Sequence, residues 1–262
     1  MKVAINGAAG AMGKRLIALL RETDDLQLVA ALDRQDHPDL GKDAGLLAGG
    51  EPLGVMLSDE LSAHPDVLVD FSAPEATVAR AAECAEKGVA LVIGTTGLTA
   101  EQRDRIERQV AAKVPVLLAP NMSLGVNVLF GLVERVARAL GDGYDVEIVE
   151  AHHRRKKDAP SGTALELGRR IARALDRDPE AVLCYGRQGP VGARKPEEIA
   201  IHAVRGGDIV GDHTVVFAAE GERLELTHRA SSRDVFAHGA LRAARFLAGK
   251  PPGLYSMTHV LA

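Results

Sequence analysis

Tryptophan is absent from this 262-residue chain, and aromatic residues make up only 3% of it. Platforms that stack single-stranded nucleic acid need rows of aromatic faces, so that class is excluded. Cysteine is almost as scarce: Cys84 and Cys184 stand alone, with no CxxC pair. Metal ribbons and dithiol redox pairs are thereby excluded, and two buried thiols in a reducing compartment are expected rather than a disulfide. No charge of one sign dominates. The net charge of -4 leaves no basic face for nucleic acid and no acidic tail. No apolar run approaches the ~20 residues of a membrane span. Met1 and Lys2 lead straight into a short apolar run without a signal-like h-region, so a cytoplasmic protein with no membrane partner is expected. Internal repeats and low-complexity linkers are also missing.

What is present is ordinary globular composition, 46% hydrophobic and 26% charged. The length suits one large domain or two small ones. A chain near 300 residues buries roughly 75% of its unfolded surface, so no staples are needed. The first third alternates strand and helix. Val3 to Asn6, Leu28 to Leu32, Val67 to Phe71, Val89 to Ile93 and Val114 to Leu118 read as apolar strands. Between them fall helical patterns at Met12 to Arg21, at Glu75 to Lys87 opened by Pro74 and closed by Gly88, and from a Thr99 cap to about Ala111. That alternation means βαβ units and a parallel sheet.

After Asn121 the character changes. Val126 to Leu140 reads as a long helix, and Tyr144 to His152 alternates with Val146 and Ile148 on one face. Strand-like runs follow at Glu198 to Val204, His213 to Phe217 and Arg223 to His228. They are joined by glycine turns, so a hairpin-rich α+β unit is expected. Tyr185 to Pro196 reads as an exposed loop, and Val235 to Ala248 as the last helix.

Gly7-Ala8-Ala9-Gly10-Ala11-Met12-Gly13 falls between the first strand and the first helix. Glycines there let backbone approach a pyrophosphate, and the helix start supplies N–H donors and positive dipole. The GxxGxxG spacing also occurs in innocent turns, but Asp33 lies 20 residues beyond Gly13 at a strand end, where an acid can bind ribose hydroxyls. Arg34 beside it is either a partner for a 2′-phosphate or an ordinary solvated arginine. A P-loop is excluded, because Ala8 and Arg15 stand where glycine and Ser or Thr are required. Phe71 to Pro74, Gly94-Thr95-Thr96-Gly97 and Ala119-Pro120-Asn121-Met122-Ser123 each follow a strand. Together they form an edge where a nicotinamide belongs.

The run His152-His153-Arg154-Arg155-Lys156-Lys157-Asp158-Ala159-Pro160-Ser161-Gly162-Thr163 leaves a strand and enters a helix. Such a basic run is commonly a solvated face or a nucleic-acid patch. Here it ends on a helix start, which with the cations suits a small dianion. Adjacent histidines on a strand point to opposite faces, so a shared zinc is not expected, and no metal site is assigned.

These residues resemble the 4-hydroxy-tetrahydrodipicolinate reductase (dihydrodipicolinate reductase) family. Val3 through Gly13, Gly94 through Gly97, Ala119 through Asn121 with Ser123, and Glu150 through Thr163 look like its signatures. Arg205, Gly207 through His213 and His228 through Arg233 look like its distal landmarks. The resemblance implies an α/β fold: a Rossmann-like doubly wound sheet at 1–122 and 233–262, with an inserted α+β domain at 123–232 for substrate and tetramerisation. It implies reduction of the dehydrated form of 4-hydroxy-tetrahydrodipicolinate, a cyclic dicarboxylate, to tetrahydrodipicolinate on the route to diaminopimelate and lysine. NADH or NADPH is the implied cofactor and a homotetramer the implied assembly. His152 is the implied acid, and Lys156 meets the substrate. His153, Ser161, Gly162 and Thr163 hold a carboxylate. Gly7 to Gly13, Asp33, Arg34, Gly94, Thr95, Thr96 and Ala119 to Met122 hold the cofactor. Three departures stand out: Met122 where many relatives carry Phe, Phe71-Ser72-Ala73-Pro74 for Phe-Thr-x-Pro, and a second lysine, Lys157. Rival readings are a homoserine- or semialdehyde-type dehydrogenase sharing only the first domain, a dinucleotide-sensing regulator, and a scaffold with a vestigial loop.

Overall fold

The computed structural model describes residues 1–262. It divides into two compact units, Met1–Leu124 with Asp234–Ala262, and Gly125–Arg233. The chain therefore crosses between units after Leu124 and after Arg233, against expected boundaries after residues 122 and 232.

The first unit is built on a seven-stranded sheet. In chain order its elements are β1 (Lys2–Asn6), α1 (Ala11–Leu20), β2 (Gln27–Leu32), α2 (Ala44–Leu47), β3 (Leu57–Ser58), β4 (Val67–Asp70), α3 (Pro74–Lys87), β5 (Ala90–Ile93), α4 (Ala100–Arg105) and β6 (Pro115–Leu118). With β12 (Gly253–Tyr255) from the end of the chain, the strand order is β12-β6-β5-β4-β1-β2-β3, and every pairing is parallel. β4 and β5 are buried at every position. Parallel strands covered on both faces read as continuous apolar runs, which is how Val67-Leu-Val and Ala90-Leu-Val-Ile appear in the sequence. One face packs Leu16, Ile17, Leu241 and Ala244. The other packs Ala81, Cys84, Ile106 and Val110. Burial pushes the Cys84 thiol up to about 12.

The helix ends follow their residues. Pro74 opens α3 and Gly88, at φ 69°, closes it. Thr99 caps α4 through a capping box with Gln102. The single helix expected to Ala111 instead widens into a π turn over Ile106–Val110, closed by Ala111 N–H donating to Ile106 O at 3.0 Å. The wide turn lets Ile106 and Val110 both enter the core, at 0% and 4% exposure.

The second unit begins within α5 (Leu124–Leu140) and continues through β7 (Asp145–His152), α6 (Gly162–Ala174), α7 (Pro179–Val182), β8 (Leu183–Tyr185), β9 (Ile199–Arg205), β10 (Gly211–Ala219) and β11 (Glu222–Ala230). Its sheet runs β11-β10-β7-β9-β8. The expected run of hairpins is corrected here: only β10 and β11 form one. β7 lies between β9 and β10, pairing parallel to the former and antiparallel to the latter. The glycine turn at 206–208 therefore bridges over a strand, which local turn chemistry alone does not reveal. Cys184 is half-buried rather than buried, because β8 is an edge strand.

The chain then returns to the first unit as α8 (Asp234–Leu247), β12 (Gly253–Tyr255) and α9 (Met257–Leu261). The sequence reads α8 as the last helix; Pro251 and Pro252 instead lead into an edge strand on β6, and the short helix α9 follows. The small residues of α8 allow close packing. A Cβ at Gly239 would stand 1.7 Å from Met122 O.

No helix is long and apolar enough to cross a membrane.

Candidate active site

In the first unit the glycine loop and the carboxyl ends of the strands enclose a cleft of about 670 Å³, lined by Asn6, Gly7, Gly10, Asp33, Arg34, Phe71, Ser72 and neighbours. The glycines are dictated by contact. Gly7 has φ +76°, and a Cβ there would lie 2.3 Å from Phe71 O. A Cβ at Gly13 would lie 2.2 Å from Gly7 O, and one at Gly94 would enter the Phe71 ring. Larger residues would therefore break the packing of the loop, of α1 and of the β4 end against one another. Ala8 N–H donates to Leu32 O and Gly10 N–H to Gly7 O, so those two are committed to the turn. No side chain caps α1, whose first turn carries no acid; its opening N–H groups are left for an anion.

Asp33 half-faces this cleft. Ala9 N–H and Arg34 N–H donate to its two oxygens, each at 3.0 Å, which fixes the carboxylate against the loop. Arg34 is exposed and paired with Asp36 at 3.2 Å. Thr95 is buried, Ala119 is held by Ile93 O, and Asn121 Oδ1 accepts from Ser123 N–H. Met122 is 1% exposed and belongs to the core, so it presents no stacking surface at this loop.

One residue here escaped the sequence reading. Asp70, at the end of β4, is fully buried. It accepts from Asn6 Nδ2 at 2.7 Å, Ser72 Oγ at 2.6 Å, Thr95 Oγ1 at 3.1 Å and Thr77 Oγ1. Thr95 Oγ1 accepts in turn from Ser72 N–H at 2.9 Å. A single carboxylate thus ties three of the loops at the sheet edge. An acid ending an otherwise apolar strand was the available signal.

In the second unit β7 sets the geometry. Its burial alternates, with Val146, Ile148, Glu150 and His152 all inward. The inward face is apolar at first and then turns chemical. Glu150 is fully buried. Arg205 donates to both its oxygens at 2.8 Å, and Ser161 N–H donates at 2.9 Å. His152 Nδ1 lies 2.6 Å from its Oε2. Burial opposes ionisation of Glu150, but the bonds from His152, Arg205 and Ser161 outweigh it and hold the carboxyl at about 2. His213, opposite Glu150 on β10, is buried with its Nε2 3.1 Å from Ser161 Oγ. Burial and the neighbouring His152 push it down to about 4, so it is neutral at physiological pH.

The loop after β7 carries the remaining expected residues. Ser161 caps α6, its Oγ accepting from Ala164 N–H at 3.2 Å. Gly162 is exposed and Thr163 half-buried on the first helical turn. Lys156 is half-buried and paired with Asp158 at 2.8 Å, whereas Lys157 is exposed. His153 meets Arg233 Nη2 at 3.4 Å. Partial burial, with Arg233 and other cations nearby, lowers its affinity for a proton. One buried carboxylate among a histidine pair, two arginines and a lysine leaves this face suited to a small anion.

The two halves match known sequences separately. Residues 1–122 match the family described as dihydrodipicolinate reductase, N-terminus, and residues 125–261 match dihydrodipicolinate reductase, C-terminus. This chain belongs to the dihydrodipicolinate reductase family. It is 56% identical over 99% of its length to the 4-hydroxy-tetrahydrodipicolinate reductase of Anaeromyxobacter dehalogenans, covering 97% of that protein. It is 54% identical over its whole length to the enzyme of Syntrophotalea carbinolica, covering 98% of it. The solved structure of the dipicolinate-bound dihydrodipicolinate reductase of Paenisporosarcina sp. TG-14 superposes with a TM-score of 0.76 at 27% identity, covering 100% of this chain and 99% of that one. As in other dihydrodipicolinate reductases, a Rossmann-like parallel sheet is paired with a mixed α+β sheet.

Proposed function

We propose that the chain is a 4-hydroxy-tetrahydrodipicolinate reductase of the diaminopimelate and lysine route, using NADH or NADPH. The observation that carries this reading is identity above half with reductases of that name along essentially the whole chain. The first unit holds the cofactor, and the glycine contacts at Gly7, Gly13 and Gly94 fit that role. The second unit holds the substrate, a ring with two carboxylates; the related Paenisporosarcina reductase is dipicolinate-bound, in keeping with a ligand of that class.

The bound nicotinamide supplies a hydride when reduced. Everything else falls to the protein. Ser161, Gly162 and Thr163 receive one carboxylate at the α6 N-terminus, with His153 beside them. Lys156 neutralises the anion and holds the ring; a half-buried ammonium already oriented by Asp158 suits this. His152 delivers the proton that completes the reduction. Asp33 binds the adenosine ribose, and Arg34, free to leave Asp36 at the surface, meets a 2′-phosphate when NADPH is used. The uncovered face of the second sheet exposes Val149 and Val204 at 39% and 47%. A second copy covering it would remove an open sheet face from water, in keeping with a homotetramer.

A synthase-coupled assay with the hydroxylated substrate tests the reading, following loss of NADH or NADPH absorbance. Turnover is expected with either nucleotide. Turnover of a linear semialdehyde and not of the ring would overturn it. Light scattering that returns a monomer of 27.7 kDa at micromolar concentration would sink the tetramer.

A further inference from the structure

The inward face of β7 places Glu150 two residues before His152, so both side chains leave the strand on the same side. Register then brings two more groups to them. Arg205 pairs with His152 across β9, and His213 pairs with Glu150 across β10. Glu150 has no route to water, and its four-sided coordination leaves no room for ambiguity about which oxygen does what. Oε1 accepts from Ser161 N–H and Arg205 Nη2; Oε2 accepts from Arg205 Nη1 and faces His152 Nδ1. An ionised carboxylate only accepts, so His152 Nδ1 carries the hydrogen of that 2.6 Å contact. Nε2 is left as the atom that exchanges a proton. Gly211 keeps space beside it; an alanine methyl at that position would lie 3.1 Å from Nε2.

We infer that Glu150 and Arg205 act as a positioning pair for His152, Glu150 holding the Nδ1 proton so that Nε2 faces outward, and Arg205 tempering the carboxylate so that the imidazolium releases its proton. A lone buried carboxylate would stabilise the imidazolium and make it a poor donor. A bidentate guanidinium draws on both oxygens and offsets that effect. Arg205 is itself anchored, donating to Val204 O and Asp158 O at 2.7 Å each, so it does not swing away. The other charged or titratable groups around His152 are His213, with ring centroids 5.2 Å apart, His153 next in sequence, and Lys156 with its partner Asp158. His213 is neutral through the working range. Lys156 and Asp158 are unchanged in every variant below. The variable charges are therefore those of Glu150 and Arg205.

This inference rests on the reading of His152 as the acid, and its test separates the two. The variants are E150Q, R205M and the double variant E150Q/R205M. In E150Q the single amide oxygen is claimed by Ser161 N–H and Arg205, so the NH₂ group faces His152 Nδ1 and turns it into an acceptor. Ring-nitrogen NMR of the protein without substrate should then show the neutral imidazole proton moving from Nδ1 to Nε2. The limb of kcat that falls as His152 deprotonates should move to lower pH by roughly one unit or more in E150Q and to higher pH in R205M. The double variant should fall between the single variants, and it removes both buried charges together should E150Q not fold. Opposite displacements with a tautomer switch support the pair. Limbs that stay put, limbs that move the same way, or an unchanged tautomer would overturn it, even where kcat drops. If no variant or wild-type protein turns over the ring, the proposed function fails, and the ring-nitrogen spectra alone decide the pair.

Discussion

Each unit buries one carboxylate completely, and the two are treated in opposite ways. Asp70 is met only by neutral donors, an amide and three hydroxyls. Glu150 is met by a guanidinium, an imidazole and a backbone N–H. Neutral donors from three loops make Asp70 a knot: removing it frees backbone, not protons. Charged and titratable donors make Glu150 part of a proton circuit. The contrast matches the division of labour proposed for the units. Holding a dinucleotide needs fixed backbone, whereas completing a reduction needs a proton that moves.

The largest effect should come from the end of that circuit. His152→Ala removes the proposed proton donor and should lower kcat by roughly 10²–10⁴. The nucleotide KM should stay near wild type, because the first unit is untouched. Retention of more than half of wild-type kcat/KM in a folded protein would return the basic run to a solvated face. Lys156→Ala should lower kcat and raise substrate KM together, and Lys157, exposed and unpaired with Asp158, should not restore either.

Asp70→Ala breaks the other side of the comparison. It leaves several buried donors without an acceptor, a cost of roughly 3 kcal/mol. In a chain of this size the melting temperature should fall by roughly 6–12 °C. Nucleotide KM should rise, while the pH limb of kcat stays where it is. A displaced limb in this variant would merge the two roles and erase the contrast.

How much of this was legible depends on the range of the interaction. The parallel sheet, the caps at Thr99 and Gly88, and the glycine loop were readable because each is local: periodicity, a turn or a single helix end. The strand order of the second sheet was not. It places β7 between β9 and β10, a choice made by long-range register. The short elements near residues 44–58 and 253–261 went unread because they have too few residues for a period. Within the site, His152, Lys156 and Ser161 stood in one run and were found together. Glu150 and Arg205 stood in the sequence as a signature and a distal landmark without a role; one further step of the Val146–Ile148 alternation turns Glu150 inward, but Arg205 reaches it from 55 residues away. Asp70 has the same character: its partners span Asn6 to Thr95.

Acid stability should separate the buried groups further. His213 is held at about 4 against an unfolded value of 6.5. The unfolded chain therefore binds the extra proton between those values, and stability falls as pH drops through that window by roughly 3 kcal/mol. Glu150 acts lower. Its contribution is complete above the ordinary carboxylate range and is lost only as pH falls toward about 2. Denaturant melts between pH 7 and pH 4.5 should thus slope in the wild type and slope less in His213→Asn, where His153 and His228 keep a smaller share. An equal slope in both would assign the loss elsewhere.

The smallest expected effect concerns cofactor choice, where the first unit's backbone-based design meets its one adjustable charge. Asp33 is fixed by two N–H donors, so its carboxylate stays beside the glycine loop whichever nucleotide binds. There it accepts from the ribose hydroxyls of NADH and repels a 2′-phosphate. Arg34 is exposed and held only by Asp36 at 3.2 Å, a surface pair that costs about 1 kcal/mol or less to break. It can turn to the phosphate and offset the repulsion. The two tendencies should nearly cancel, giving a preference within about tenfold, or ~1.4 kcal/mol. Arg34→Ala should then shift the ratio of kcat/KM values toward NADH without altering the NADH value itself. Asp36→Ala, by freeing the guanidinium, should shift it slightly the other way. A wild-type preference beyond a thousandfold would mean that one of the two charges prevails, and that the first unit, like the second, selects its ligand by side-chain charge rather than by backbone.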